Sequence, residues 1–299
     1  MNHVGLVLEG GGMRGLFTAG VLDFFLEKNM IFSYVIGVSA GACNAASYIS
    51  LQKGRNKIIN TAFVDDWRYM SLKSLIKSGS LFGMDFLFDE IPRRKAPFDY
   101  ETFYSSPVVF RIGVTDCLTG KPLYFDKNDL DENLTVLRAS SSIPLVSPII
   151  RFKGYSLLDG GITDPMPVRR AMSDGYQKNV IVLTRNRGYQ KEPVRGPLHL
   201  LLARKYRKYP GLVQAIFDRY RIYNETLEFI EELEQKKQAV VIRPSKKLQV
   251  GRFEKNAEKL TALYNQGYED AAAAHDRIKT IVNQDMPSVS SPRRPFRRY

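Results

Sequence analysis

The order of apolar and polar positions from Val4 to about Val182 predicts alternating strands and helices. Short apolar runs rich in β-branched residues alternate with segments of helical periodicity, which is typical of an α/β domain. The predicted strands are Val4–Leu8, Tyr34–Ile36, Val108–Val114, Leu123–Phe125, Tyr155–Leu158, Val180–Leu183 and Ala239–Ile242. A mainly parallel sheet is therefore expected.

Two long helices are predicted in the C-terminal third. Apolar positions recur at steps of three and four, which places them on one helix face. They are Val213, Ile216, Tyr220, Tyr223, Leu227 and Ile230 in the first helix, and Leu260, Tyr264, Gly267, Ala271, Ala274, Ile278 and Ile281 in the second.

Because no repeat or linker interrupts the pattern, residues 1–285 are predicted to form one domain. Its parts are a motif-bearing region, 4–183, and a helical region, 198–283. The tail Met286–Tyr299 contains three prolines and four arginines, and is predicted to be disordered.

Composition narrows the protein class. Of 299 residues, 44% are hydrophobic and 25% charged, which excludes a disordered chain. No apolar run reaches the roughly 20 residues of a membrane span, and the N-terminus lacks the features of a signal peptide. Cys43 and Cys117 alone cannot form a disulfide framework or a cysteine-rich zinc site. A cytoplasmic location is predicted.

The net charge of +13 favours anionic partners, either a phospholipid surface or nucleic acid. A basic cluster at Arg204, Lys205, Arg207 and Lys208, with Tyr206 and Tyr209 between its members, could contact anionic headgroups or RNA, or could be a solvated helix face. Peripheral contact with the inner membrane surface is the preferred partner hypothesis over nucleic acid. No oligomeric state is predicted.

Four glycines occupy six positions between the first predicted strand and the next helix. Gly10, Gly12 and Gly15 satisfy the dinucleotide-binding pattern G-x-G-x-x-G, but no acidic residue lies between Asn29 and Asn44 to hold a ribose. No Gly-Lys-Ser/Thr closes the loop, which excludes a P-loop. The loop is predicted to present backbone N–H groups to an anionic oxygen, with a tight turn as the alternative.

A second motif, Gly37-Val38-Ser39-Ala40-Gly41, follows an apolar strand and precedes a helix of small residues. This is the context of a nucleophile elbow, in which a sharp turn exposes a serine hydroxyl beside a helix N-terminus. An ordinary glycine-flanked turn is the alternative interpretation.

Asp159 is the preferred base for Ser39. It ends a predicted strand and precedes Gly160 and Gly161, so in a mainly parallel sheet it would emerge at the same edge as Ser39. A turn aspartate is the alternative. The chain has three histidines, His3, His199 and His275, and none follows a strand at such a turn. Together, the three turns predict acyl-transfer machinery.

This combination resembles the patatin-like phospholipases, lipid acyl hydrolases with a Ser-Asp dyad. Order and spacing fit across Val4–Leu183. The similar segments are the oxyanion loop Gly10–Gly15 with its basic Arg14, the elbow Gly37–Gly41, the Asp-Gly-Gly motif at Asp159–Gly161 and, more softly, Ala139–Pro144. One departure is Asp164-Pro165, where family members often carry asparagine.

The resemblance implies a three-layer α/β/α fold and hydrolysis of phospholipids, lysophospholipids or related lipid esters. The implied site comprises Ser39 as nucleophile, Asp159 as proton acceptor, an oxyanion hole from Gly10, Gly11, Gly12, Met13, Arg14 and Gly15, the elbow glycines Gly37 and Gly41, and the motif glycines Gly160 and Gly161. The chemistry of these groups assigns the oxyanion to the N–H groups of Gly11, Gly12 and Met13.

Other features leave alternatives open. The apolar segment Ser80–Phe88 could line an acyl channel, form a lid or pack in the core. The acidic run Asp126–Asp131 lacks the glycine and glutamate of a calcium loop, so no metal is predicted, and no cofactor either. A non-catalytic protein that binds anionic lipid, or a nucleotide or phosphate, through the glycine loop is the alternative function.

Overall fold

The computed structural model describes residues 3–283, and its central element is a mixed sheet. The spatial strand order is β5-β6-β3-β2-β1-β7-β8, with β4 also paired to β3. The strands are β1 (Val4–Leu8), β2 (Tyr34–Val38), β3 (Val109–Asp116), β4 (Lys121–Asp126), β5 (Ile150–Phe152), β6 (Tyr155–Asp159), β7 (Lys178–Val182) and β8 (Ala239–Ile242). The five strands β3-β2-β1-β7-β8 run parallel, whereas β4, β5 and β6 pair antiparallel with their neighbours.

Helices cover both faces of this sheet. In chain order they are α1 (Gly15–Glu27), α2 (Ala40–Ile49), α3 (Arg55–Ala62), α4 (Leu72–Ser78), a π-helix (Phe86–Lys95), α5 (Tyr100–Ser105), α6 (Thr135–Ser140), α7 (Val168–Ser173), α8 (Pro197–Lys205), α9 (Pro210–Gln235) and α10 (Ala257–Asn283). Short 3-10 turns lie at Gly12–Arg14, Lys127–Asp129 and Gly160–Ile162. No helix between residues 3 and 283 is both long and apolar enough to cross a bilayer.

Alternate residues of β1 belong to two different cores. Leu6 and Leu8 pack with helices α1, α2 and α10, whereas Val7 packs on the other face with residues of α7 and α9. Both faces of the central strands are buried, as expected for a parallel sheet covered by helices. The predicted three-layer α/β/α architecture is confirmed.

The strands extend further than their apolar runs. At the end of β3, the polar residues Thr115 and Asp116 are buried and pair with β4 and β6. At the start of β7, Asn179 is fully buried and pairs with β1 and β8. Backbone pairing, and not apolarity, sets these boundaries. Strand β5 was not predicted, because none of its three residues is fully buried.

The helical C-terminal region shares the sheet and core of the N-terminal region. Strand β8 pairs with β7, and α10 packs along α1 through residues such as Leu260, Ala271 and Ile278. The assignment of one domain remains a prediction that these contacts support. The predicted disordered tail Met286–Tyr299 lies outside the described residues.

Candidate functional site

Ser39 occupies a strained turn between β2 and α2. Its φ of 55° and ψ of −127° are rare for a residue with a side chain, and such strain is typical of nucleophile elbows. The Ser39 N–H donates to Ser140 Oγ at 2.8 Å, and Ser140 Oγ donates to the Gly113 carbonyl at 2.7 Å. The buried Ser140 therefore fixes the turn to β3. A Cβ on Gly41 would lie 2.6 Å from the Leu8 carbonyl, so the elbow also requires glycine there.

Asp159 is hydrogen-bonded directly to Ser39. Ser39 Oγ donates to Asp159 Oδ2 at 2.8 Å, and the Gly161 N–H donates to Oδ1 at 2.7 Å. Thr115 Oγ1 donates to the Asp159 carbonyl at 2.9 Å. Ser39 and Asp159 are only 6% and 8% exposed. Burial raises the pKa of Asp159, while the Arg219 charge and the Ser39 hydrogen bond oppose this rise.

The reason for their proximity differs from the one expected. In a purely parallel sheet both residues would follow neighbouring parallel strands, but β6 runs antiparallel to β3. Val38, at the end of β2, pairs with Gly113, and Asp159, at the end of β6, pairs with the next residue, Val114. Because β4 occupies the other edge of β3, β2 and β6 meet end to end along one edge. This geometry brings the serine and aspartate together.

The glycine loop offers fewer free donors than expected. Gly12 has a φ of +57°, and the segment containing Arg252 lies against it. The Met13 N–H donates to the Arg252 carbonyl at 3.1 Å, and the Gly10 N–H donates to the Pro165 carbonyl at 3.4 Å. Of the three N–H groups assigned to the oxyanion, those of Gly11 and Gly12 are left for a ligand in this conformation.

Two cavities meet at Ser39. The first, the apolar chamber, has a volume of about 150 Å³. It is lined mainly by Phe82, Met84, Leu87, Phe88, Phe98 and Leu137. Parts of the segment Ser80–Phe88 thus line this cavity, while its Phe86 packs in the core; the acyl channel remains a prediction.

The second cavity, the cationic chamber, has a volume of about 380 Å³ and is also lined by Ser39 and Asp159. Its positively charged residues are Arg14, Arg185, Lys191, Arg219 and Arg252, and its remaining walls include Leu198, Leu202 and Phe253. Burial and the neighbouring arginines lower the pKa of Lys191 to about 7, and burial lowers the pKa of Arg14 and of Arg219 to about 10.

Four of these five cations were missed by sequence reasoning. Arg219 lies three residues after Ile216 and four before Tyr223, on the predicted apolar face of α9. That face was assigned to Tyr220, which is instead 37% exposed. The signal for Arg219 in the sequence is an arginine at a position where the helical period predicts a buried side chain. Arg185 and Lys191, in the segment after β7, and Arg252, after β8, carried no comparable pattern.

Two of the three histidines and one tyrosine of the basic cluster pack against other side chains. His199 stacks on Phe217 with ring centroids 3.8 Å apart, and His275 packs edge-on against Phe24 at 5.4 Å. Tyr206, in the basic cluster, is buried and its hydroxyl accepts a hydrogen bond from the Leu145 N–H at 2.8 Å. It is therefore a core residue and not a headgroup contact.

Asp164, at a position where family members often carry asparagine, is hydrogen-bonded to a tyrosine of β4. Tyr124 Oη donates to Asp164 Oδ2, and burial raises the pKa of Asp164 to about 6. In the acidic run, Asp126 and Asp129 form a reciprocal capping box around a 3-10 turn, a structural use of these carboxylates.

Comparison with known proteins finds similarity to two family models, several curated relatives and a solved structure. A family model described as patatin-like phospholipase matches residues 6–172, and one described as a domain of unknown function (DUF6363) matches residues 209–283. Among curated relatives, the Escherichia coli protein YjjU is 32% identical over 190 residues, covering 61% of this chain and 52% of that protein. An NTE family protein of Mycobacterium tuberculosis is 24% identical over 216 residues, covering 72% and 58%.

The "Probable lipid hydrolase 463L" of Invertebrate iridescent virus 6 is 26% identical over 197 residues, covering 58% of this chain and 65% of that protein. The chain thus matches between about half and two thirds of the length of these relatives. Among solved structures, VipD from Legionella pneumophila aligns over 95% of this chain and 67% of its own, with 13% identity and a TM-score of 0.47.

Proposed function

Because this chain belongs to the patatin-like phospholipase family, we propose that it is a serine acyl hydrolase that cleaves ester bonds of phospholipids, lysophospholipids or related lipid esters. The observation that carries this proposal is the 2.8 Å hydrogen bond from Ser39 Oγ to Asp159 Oδ2, at the junction of two cavities. The viral relative is described as a probable lipid hydrolase, which supports the same reaction class.

In the proposed reaction, Ser39 Oγ attacks the ester carbonyl carbon while its proton passes to Asp159 Oδ2. The tetrahedral oxyanion is held by the N–H groups of Gly11 and Gly12, with the Arg14 charge nearby. The intermediate collapses as the leaving alcohol takes the proton from Asp159, and an acyl-serine remains. Water then attacks this ester, Asp159 accepts its proton, and the fatty acid leaves as Ser39 is re-protonated.

The environment of Asp159 suits this role. An exposed carboxylate, with a pKa near 3.9, is a weak base for a serine hydroxyl. Burial raises the pKa of Asp159 and so strengthens it as a base, whereas the Arg219 charge limits that rise. The N-terminus of α2, which begins at Ala40, favours negative charge on Ser39.

The two cavities divide an ester substrate between them. The apolar chamber has the lining expected for an acyl chain, and the cationic chamber is left for the alcohol part. Each is open to Ser39. This division supports a lipid ester in preference to a water-soluble one, since burial of a long apolar chain supplies binding energy of about 0.8 kcal/mol per methylene.

Hydrolysis of a p-nitrophenyl acyl ester tests the proposal. Wild-type protein should hydrolyse it and be labelled by a fluorophosphonate at Ser39, as located by mass spectrometry. Ser39→Ala should lose both properties, while the control Ser105→Ala, at an exposed serine of α5, should retain them. A folded wild-type protein that neither hydrolyses the ester nor reacts would instead favour the non-catalytic binding protein.

We also propose that α8 contacts an anionic membrane surface. Its Leu200 and Leu201 are 72% and 52% exposed, and Arg204 and Lys205 follow in its last turn. Leu198, on the same helix, lines the cationic chamber, so a surface bound here would face the site. Flotation with vesicles containing phosphatidylserine should be strong for the wild type and reduced in Leu200→Ser/Leu201→Ser. Equal flotation of both proteins would contradict this contact.

A further inference from the structure

The cationic chamber holds more positive charge than its own carboxylates compensate. Within residues 3–283, none of Arg14, Arg185, Lys191, Arg219 and Arg252 forms an ion pair with a carboxylate. This differs from the protein surface, where basic side chains such as Arg68 and Lys53 pair with acidic ones. The chamber therefore concentrates unpaired cations beside the catalytic serine.

The two carboxylates that line the chamber have other partners. Glu9 accepts hydrogen bonds from Tyr223 Oη at 2.7 Å and from Thr184 Oγ1 at 3.0 Å. Asp159 is held by Ser39 and by the Gly161 N–H. Both carboxylates are hydrogen-bonded to neutral donors, and their two negative charges leave the five basic side chains of the chamber with an excess of positive charge.

In place of ion pairs, the cations contact neutral groups: Arg219 Nε donates a hydrogen bond to the Gly161 carbonyl, and two others lie over aromatic rings. Arg185 lies over the Tyr189 ring at 4.2 Å, and Lys191 Nζ lies over the Tyr223 ring at 4.8 Å. Arg14 is only 5% exposed, and its buried Nε has no hydrogen-bond partner. A buried, unpartnered guanidinium nitrogen costs free energy, and a bound anion would offset that cost.

We propose that the cationic chamber binds the phosphate of an anionic phospholipid or lysophospholipid, which makes Arg185, Lys191, Arg219 and Arg252 determinants of headgroup specificity. This inference rests on the proposed function, because the chamber receives the alcohol part of the ester. A phosphate offers several anionic oxygens, which matches a cluster of basic donors better than a single carboxylate does. An amine-bearing headgroup finds no free carboxylate on the chamber wall.

A binding measurement tests the phosphate site without relying on hydrolysis. Inorganic phosphate should raise the melting temperature of both the wild type and Ser39→Ala, relative to sodium chloride at equal ionic strength, which controls for screening. The shift should be reduced in Arg185→Gln and in Arg252→Gln. Arg187→Gln is the matched control, because that exposed arginine of the same segment pairs with Glu234 at 2.7 Å.

A kinetic measurement then distinguishes a lipid headgroup from free phosphate. A short-chain 1-acylglycerol 3-phosphate should have a KM about tenfold or more below that of the matching uncharged 1-acylglycerol, the usual size for charge-assisted hydrogen bonds. Arg185→Gln and Arg252→Gln should each reduce this ratio, and Arg187→Gln should preserve it.

The outcomes separate the two proposals. A phosphate-dependent thermal shift without hydrolysis of either lipid would keep the phosphate site and overturn the proposed function. Hydrolysis of both lipids with equal KM would keep the proposed function and overturn the headgroup assignment, even where free phosphate binds. No phosphate-specific shift in the wild type would overturn the site itself.

Discussion

The apolar chamber and the cationic chamber open on the same serine but are built in opposite ways. The apolar chamber is formed by Phe82–Phe88, α2 and α6, and most of its lining side chains belong to the hydrophobic core. The cationic chamber is formed by the glycine loop, α9 and the segments after β7 and β8, and five basic side chains point into it without carboxylate partners. The first is built largely by packing of apolar side chains, whereas the charges of the second are those that we propose bind a ligand.

The two chambers also draw their residues from different parts of the chain. The family motifs and the apolar chamber come from within the matched residues 6–172. Four of the five cations come from residues 185–252, beyond that match. The proposed reaction machinery and acyl site thus belong to the motif-bearing region, and the proposed headgroup specificity is added by the C-terminal region.

Filling the apolar chamber should separate the two sites most strongly. Leu87→Trp replaces the leucine side chain with a larger indole in a cavity of about 150 Å³. We therefore expect KM for a long-chain ester to rise at least tenfold, while KM for an acetyl ester changes little. The control is Leu118→Trp, at a residue that is 69% exposed in the β3–β4 turn. An equal loss on long and short esters would show that the chamber does not hold the acyl chain.

The pH dependence of KM should reveal the cationic chamber. The pKa of Lys191 is lowered to about 7 by burial and by the charges of Arg219 and Arg252. The amine is charged below this pKa, so KM for a phosphoglycerol lipid should rise as the pH increases through about 7. The phosphodiester of that lipid keeps one negative charge over this pH range. Lys191→Arg, whose side chain stays charged, should therefore remove the inflection. An uncharged ester showing the same inflection would contradict the assignment.

The smallest expected effect connects the cationic chamber to catalysis. The Arg219 charge lowers the pKa of Asp159 against the rise caused by burial. In Arg219→Gln the pKa of Asp159 should rise, so the acid limb of the kcat profile should move to higher pH. An unchanged acid limb in a folded variant would show that Asp159 is not the titrating base.

Much of this site could be predicted from local sequence. The glycine loop, the elbow at Ser39 and the turn at Asp159 are short motifs whose backbone requirements are visible in their residue types. The long helices α9 and α10 were visible as periodic patterns. Each of these features depends on neighbours within a few positions of the chain.

Features that depend on distant pairing could not be predicted in the same way. Strand β6 pairs with the last residues of β3, which extend beyond the end of β2. The residues of a strand do not show whether its partner will be parallel or antiparallel. The contact between the Met13 N–H and the Arg252 carbonyl joins residues 239 positions apart. The same holds for the chamber cations, which are isolated basic residues until the fold brings them together.

The central claim is that Ser39 and Asp159 act as a dyad without histidine, and the most direct test compares two folded variants. Ester hydrolysis by His3→Asn/His199→Asn/His275→Asn should stay within a few-fold of the wild type, because His199 stacks on Phe217, His275 packs edge-on against Phe24, and neither lines a cavity at Ser39. Asp159→Asn should lose about 10²–10⁴ in kcat, since a neutral amide cannot accept the serine proton. Full activity in Asp159→Asn, or its loss in the histidine-free protein, would contradict the dyad.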